Sequence, residues 1–242
     1  MPIDVMVTEA CEVQQRFMSH GDSAIESLDY SGACRQLRVL GGDFFDFKPL
    51  DEGRLAVAIG DASGKGIAAA LMISNVQASL RTATFLTGND APAALRAVNR
   101  LVYASTLENR YATLFYGVFD GATRTLRYVN AGHNPPMIIR QDNSIDWLET
   151  GGAPAGMFSD WTYEEGVIQL NPGDLVLAYT DGVTEASNPA GEEWGIEGLR
   201  SAAAENQARK ASDVVGAIFQ SIDEFSHRNQ TDDATVAVLK VS

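Results

Sequence analysis

Two segments of this 242-residue chain end an apolar run on an aspartate. In LAVAIGDASGKG, residues 55–66, and LVLAYTDGVTEA, residues 175–186, five apolar residues and one more precede Asp61 and Asp181, and glycine follows closely. This layout predicts that each carboxylate stands at the rigid end of a buried strand, a precise place for a metal ligand. The glycines let backbone or a bound group approach closely. Taken singly, such an aspartate reads as a turn former. Asp43, at a Gly-Gly turn entering DFFDF, and the pair Asp232-Asp233, opening ATVAVLKV, repeat the placement, so four separate segments offer carboxylates at strand boundaries. Turns alone do not account for four.

Hard divalent cations such as Mg²⁺ and Mn²⁺ prefer oxygen ligands, and an all-carboxylate site is what a chain with 3 histidines can supply. Four aspartates and two such ions would sum to about zero charge, so the site could accept a phosphate dianion; a paired-ion centre can activate water and steady a leaving oxygen. A nucleotide-cradling P-loop is excluded at GDASGKG. Gly60 and Gly64 enclose three residues instead of four, and Lys65 is followed by Gly66 instead of Ser or Thr. Lys65 and Gly66 instead lead into a helix whose N-terminus adds a favourable field for an anion.

Composition narrows the partners. The 32 acidic against 18 basic side chains give a formal net charge of -14, which repels nucleic-acid phosphates and anionic lipid. Neither nucleic acid nor membrane is expected as a partner. Two cysteines, Cys11 and Cys34, with no CxxC pair, indicate neither a disulfide framework nor a zinc site and suit a reducing cytoplasm. No apolar run approaches the roughly 20 residues that span a bilayer, and no targeting segment opens the chain. The 45% hydrophobic content and the length fit one large domain.

The elements that must position the aspartates follow from periodicity. Residues 5–18 predict a short helix carrying Val5, Cys11 and Val13. From 26 to 61, LRVL, DFFDF and LAVAIG read as strands between Gly, Pro and Asp turn signals. A helix follows with Ala69, Met72, Ile73, Val76, Leu80 and Ala83 on one face. A second helix starts at the N-cap Asp90 with Pro92 in its first turn and stacks Leu95, Val98, Leu101 and Val102. TLFYGVFD and TLRYVNAG predict a hairpin about Gly121; MIIR, SIDWLE, GVIQL and LVLAY continue the strands, NPGD turns the chain, and 196–227 is helical. ATVAVLKV is apolar on both faces, as a covered central strand should be. Strands, two helices, many strands, helix, strand is not a βαβ rhythm; it predicts an α+β sandwich with helices outside packed sheets. Asp46, three residues after Asp43, should point to the opposite face of its strand and serve structure.

With LGGDFFDF, GDASGKGIAAALM, NAGHNPPMI, PAGMF, PGDLVLAYTDGVTEA and DDATVAVLK in this order, the chain resembles the SpoIIE/RsbU-type bacterial serine phosphatases, a branch of the metal-dependent protein phosphatase 2C superfamily. The likeness covers nearly its whole length. It implies a four-layer α/β/β/α sandwich as one phosphatase domain over residues 1–242, with 5–19 a linker or dimerisation helix, often next to a sensory or regulatory domain. It also implies hydrolysis of phosphoserine or phosphothreonine, by water activated at two Mn²⁺ or Mg²⁺ ions, on a regulatory protein such as a STAS-type anti-sigma-factor antagonist. Residue by residue, Asp61 would serve both ions, Asp181 and Asp232 the first, and Asp43 and the Ala62 carbonyl the second. Asp233 would lie in the outer shell. Asp61, Asp181 and Asp232 form the implied catalytic set.

The chain departs from that pattern in places. Eukaryotic relatives carry a histidine just after the shared aspartate and a phosphate-holding arginine, whereas Ala62-Ser63 follows Asp61, so the general acid is unassigned. His133 in NAGHNPP reads as a satisfied turn histidine beside Pro135 and Pro136 and is left out of the catalytic set. Gln36 stands where relatives commonly have proline. Two other functions stay open: a noncatalytic module that recognises a phosphoprotein, and a nucleotide cyclase, because LGGDFFDF shares its Gly-Gly-Asp with the GGDEF signature. Phe44-Phe45 replaces the acidic continuation a cyclase needs.

Overall fold

The structure, a computed structural model, describes residues 3–18, 25–50, 53–88, 90–106 and 109–242. Two mainly antiparallel sheets pack face to face. One sheet runs β1 (Leu28–Arg35), β11 (Ala234–Val241), β10 (Leu175–Tyr179), β6 (Met137–Ile139) and β7 (Ile145–Trp147). The other runs β2 (Asp43–Pro49), β3 (Arg54–Ala62), β4 (Ala112–Asp120), β5 (Thr125–Ala131) and the two-residue β8 (Gly151–Gly152), with β9 (Gly166–Gln169) also paired to β5. Helices α2 (Ile67–Thr87) and α3 (Ala91–Ser105) cover the second sheet; α5 (Gly195–Glu205) and α6 (Ala211–Ser226) cover the first. This is the expected α/β/β/α sandwich.

Three apolar layers hold the stack together. Phe45, Phe47, Ile59 and Phe115 meet Ile138, Val176 and Leu239 between the sheets. Phe44, Leu114 and Tyr116 meet Ile73, Val76, Leu95 and Val98 under α2 and α3. Leu177 and Val236 meet Leu199, Val214 and Ile218 under α5 and α6. Alternation along DFFDF thus sends Phe44 and Phe45 into different layers, each fully buried side chain stabilising by about 1.5–3 kcal/mol. Gly32 of β1 makes room: a Cβ there would lie 2.7 Å from the Phe45 ring. Asp46 shares the face of Phe44, where Arg81 of α2 clasps it through Nε–Oδ2 (2.5 Å) and Nη2–Oδ1 (2.9 Å). It has the structural role expected of it.

Several elements form as their residues dictate. The Asp90 carboxylate accepts from the Ala93 N–H, capping α3. Strand β11 lies between β1 and β10 and is buried almost throughout. Three expectations need correction. Leu37–Leu40 is not a strand: pairing with β11 covers Leu28–Arg35, and the chain then leaves the sheet, exposing Leu37 and Val39. The helical region 196–227 is two helices, because residues 206–210 turn the chain before Asp29 of β1 accepts the Ala211 N–H and caps α6. Leu101 of α3 faces outward instead of stacking with Leu95, Val98 and Val102, whereas the expected N-terminal helix forms as α1 (Ile3–Phe17) and buries Gln14. The Val5 side chain and residue 19 lie outside the described residues. Among the described residues no helix is long and apolar enough to cross a membrane.

His133, just past β5, is 5% exposed; its Nδ1 meets the Thr113 hydroxyl at 2.9 Å, and its backbone N–H donates to Asn130 Oδ1 at 2.7 Å. Its Nε2 is buried without a hydrogen-bond partner among the described residues, so the ring is not fully satisfied as the sequence led one to expect. Burial pushes its pKa down to about 4. A histidine held neutral when folded but free to charge when unfolded contributes stability above about pH 6.5, and that contribution is lost as pH falls toward 4. In urea titrations, the stability of the wild type relative to His133→Gln should therefore drop by about 3 kcal/mol between pH 7 and pH 4. Parallel pH curves for the two proteins would contradict this placement.

Candidate metal centre

The four aspartate segments end at one edge of the sandwich. Asp43 and Asp61 are direct cross-strand partners at the ends of β2 and β3. Thr180 separates β10 from Asp181, which opens the single-turn helix α4 (Asp181–Thr184), and Asp232-Asp233 immediately precede β11. The two pairs belong to different sheets, and threonines join them. Asp43 Oδ2 accepts from the hydroxyls of Thr180 and Thr235, both at 2.7 Å. The Thr235 N–H in turn donates to Thr180 Oγ1 at 2.9 Å.

The carboxyls disfavour one another's charge. The Asp61 pKa is held well above the usual carboxylate range, first by burial and then by the neighbouring carboxyls of Asp43, Asp181 and Asp232. Asp43 is raised as well, by burial and by Asp233 and Asp181, against the lowering effect of the two threonine hydroxyls. Asp181 is raised by burial and by Asp232. Lys65 partly offsets this charge: its Nζ lies 2.5 Å from Asp232 Oδ2, and that hydrogen bond raises the ammonium pKa.

Two smaller features complete the centre. The Asp61 Oδ1 and the Ala62 carbonyl oxygen each lie 3.5 Å from the point where a Cβ on Gly42 would stand, so glycine leaves both oxygens open on the same side. Asp233 is committed elsewhere: Oδ1 accepts from the Leu37 N–H and Oδ2 from the Gly42 N–H, both at 2.7 Å. It therefore folds the loop after β1 back toward β2 and seats Asp43. Gly182 is needed for the same contact, since a Cβ there would overlap the Asp233 carbonyl.

Among the described residues no three carboxylate, imidazole or thiol groups can hold one ion in their present orientations. The side chains are turned to protein partners, Asp43 to hydroxyls and Asp232 to Lys65. The donor set is nonetheless all oxygen, crowded and short of positive charge, which fits a hard divalent cation. Sequence reasoning missed two members of this neighbourhood. Lys65 was expected only to lead into α2, and Glu185, four residues beyond Asp181 in TDGVTEA, is raised by burial and by Asp181, Glu193 and Asp232. The spacing of Glu185, one helical turn after Asp181, was the available signal.

Comparison with known proteins places this architecture. The chain is 28% identical over 234 residues to the phosphoserine phosphatase RsbU of Bacillus subtilis, covering 96% of this chain and 68% of that one. It is 27% identical over 255 residues to protein IcfG of Synechocystis sp., covering 94% of this chain but only 40% of that protein. Among solved structures, the SiaA-PP2C domain of Pseudomonas aeruginosa superposes with a TM-score of 0.84 at 18% identity, covering 99% of this chain and 97% of that one. That likeness identifies the sandwich as the PP2C fold. The pattern of the Stage II sporulation protein E (SpoIIE) family matches residues 51–242, which takes in the strands and turns carrying Asp61, Asp181, Asp232 and Asp233. By that match the chain belongs to the SpoIIE family.

Proposed function

We propose that this chain is a metal-dependent phosphatase acting on phosphoserine or phosphothreonine of a regulatory protein. The observation that carries this reading is the convergence of Asp43, Asp61 and Asp181, all held above their usual pKa range by burial and by one another, at one edge of the sandwich. A chain does not keep such a cluster for stability, because each desolvated like charge opposes folding. Membership of the SpoIIE family and the likeness to a phosphoserine phosphatase support the same reaction class. A phosphorylated STAS-domain protein is the proposed substrate. A noncatalytic phosphoprotein binder would have no use for the full set of aspartates.

In this reading Asp61, with the Asp181 and Asp232 carboxylates on one side and Asp43 and the Ala62 carbonyl on the other, would hold two Mn²⁺ or Mg²⁺ ions. When bound, the ions supply charge that draws in the phosphate and makes water nucleophilic at neutral pH. The protein's own part is positional. Strands β2 and β3 fix Asp43 and Asp61 side by side, the threonine pair holds Asp43, and Asp233 orients the Gly41–Gly42 turn through backbone N–H groups without ligating. Asp232 would have to leave Lys65 to serve as ligand, and the ammonium would then be available to the anionic phosphate. Carboxylates fixed on rigid strand ends need little reorganisation as charge develops, which is where most electrostatic catalysis originates.

Two outcomes follow. With Mn²⁺ the protein should release phosphate from a phosphoserine protein and from p-nitrophenyl phosphate, and Asp61→Asn or Asp181→Asn should each lower kcat/KM by roughly a hundredfold or more. A folded wild type that binds Mn²⁺ but releases none would favour the noncatalytic binder. Thermal melting gives a readout independent of turnover. In chelator, Asp61→Asn should melt higher than wild type, because one of the mutually repelling carboxyls is gone; with Mn²⁺ the order should reverse. A variant that still gains the full Mn²⁺ stabilisation would remove Asp61 from the ligand set.

A further inference from the structure

Beside the aspartates, the start of β4 and the loop after Asp61 are fastened to each other. The Ser63 N–H donates to the Tyr111 carbonyl (2.9 Å), the Tyr111 N–H to Ser63 Oγ (3.0 Å), and Arg110 Nη1 to the Ser63 carbonyl (2.6 Å). Gly64, at φ +98°, lies against the guanidinium so closely that a Cβ would overlap Nη1. Arg110 has no carboxylate partner among the described residues, although the chain carries 32 acidic side chains. Arg110 also lines a cleft of about 590 Å³ together with Tyr103, Thr106, Tyr111 and Met157.

The far wall of this cleft is rigid. Asn99 of α3, fully buried, accepts from the Gly156 N–H (2.9 Å) and donates to the Phe158 carbonyl (3.0 Å), pinning the loop that presents Met157. Apolar side chains line the rim: Tyr103 is 50% exposed and Met157 39%, and just beyond them the Phe158 and Trp161 rings stack at 5.0 Å in the open. Tyrosine, methionine, aromatic rings and an arginine without a carboxylate partner among the described residues are the composition of a protein-recognition surface. The cleft also starts near the aspartates in the fold. Thr113 is the cross-strand partner of Asp61, and Arg110 lies three residues upstream, so the cleft starts roughly 10 Å from Asp61 along the strand.

We propose that this cleft binds the extended polypeptide flanking the phosphoserine of a protein substrate. About three residues from the phosphoserine, it takes an aliphatic or aromatic side chain between Tyr103 and Met157 and an acidic side chain on Arg110. Charge complementarity decides the acidic choice: in a chain of net charge -14, Arg110 has no carboxylate partner among the described residues, and its planar fork suits a carboxylate. This proposal rests on the phosphatase reading above.

The test uses the full chain with Mn²⁺, p-nitrophenyl phosphate, and alanine-glycine nonapeptides centred on phosphoserine, with Leu and Glu placed in turn three and four residues to either side. Peptides carrying Leu and Glu on the favoured side should exceed the plain peptide at least tenfold in kcat/KM. Tyr103→Ala and Met157→Glu should remove the preference for Leu, and Arg110→Ala the preference for Glu, each lowering peptide hydrolysis far more than ester hydrolysis. Met157 is exposed, so its variant keeps the test open if Arg110→Ala fails to fold. Equal rates for all peptides, with the ester still cleaved, would overturn the cleft and leave the phosphatase reading standing. Loss of peptide and ester turnover by the same factor in Arg110→Ala and Met157→Glu would also overturn it, since these side chains would then act on the loop or the phosphate. A wild type that cleaves neither substrate would overturn both readings.

Discussion

The carboxylate of Asp43, gripped by the hydroxyls of Thr180 and Thr235, is the interaction on which the site depends. Asp43 belongs to one sheet and the two threonines to the strand ends of the other, so this contact sets how the sheets meet at their functional edge. Asp181 follows Thr180 directly, and Asp233 is two residues before Thr235. Fixing the threonines therefore fixes both flanking carboxylates relative to Asp43 and, through the β2–β3 register, relative to Asp61. Asp43 is only 2% exposed, and a carboxyl so deeply buried persists only with hydrogen-bond donors of this kind.

The arrangement opposes folding locally and is sustained by the rest of the molecule. Burial and mutual repulsion raise the carboxyl pKa values of Asp43, Asp61 and Asp181, and Lys65 relieves the repulsion only in part. Three apolar layers supply what the edge lacks. Phe44 and Phe45, adjacent to Asp43, pack into two of those layers, so the strand that bears the charge is also among the most firmly held. A stiff scaffold bearing a destabilised centre is the usual compromise where charge must be held ready for a ligand.

Much of this was legible in the sequence wherever the signal was local. Five apolar residues running into Asp61 and Asp181 revealed strand ends, because burial on both faces leaves a continuous apolar run. Period-two alternation placed Asp46 away from Asp43, and the Asp90 cap marked the start of α3. What local pattern could not show was pairing between distant segments. LRVL has strand-like composition, yet Leu37 to Leu40 form a bend because Asp233, some two hundred residues away, draws the backbone of Leu37 and Gly42 out of the sheet. The same blindness hid the pairing of Lys65 with Asp232 and the seating of α1 through Gln14, whose side chain bonds Gly41 and Gln36. Gln36, notable in the sequence only for replacing a proline, turns out to contact the N-terminal helix. The proposed metal ligands came from resemblance, since spacing alone says where a carboxylate stands and not what it binds.

The measurement that bears most directly on the central claim is anomalous diffraction from crystals soaked in Mn²⁺. The account predicts two peaks at the sandwich edge, with Asp61 oxygens on both, at about 2.1 Å, and Asp181, Asp232 and the Asp43 side distributed between them. In that state Lys65 should have left Asp232, and Asp233 should still accept the Leu37 and Gly42 N–H groups. Peaks located elsewhere, or none at saturating Mn²⁺ with the Asp232–Lys65 pair intact, would contradict it.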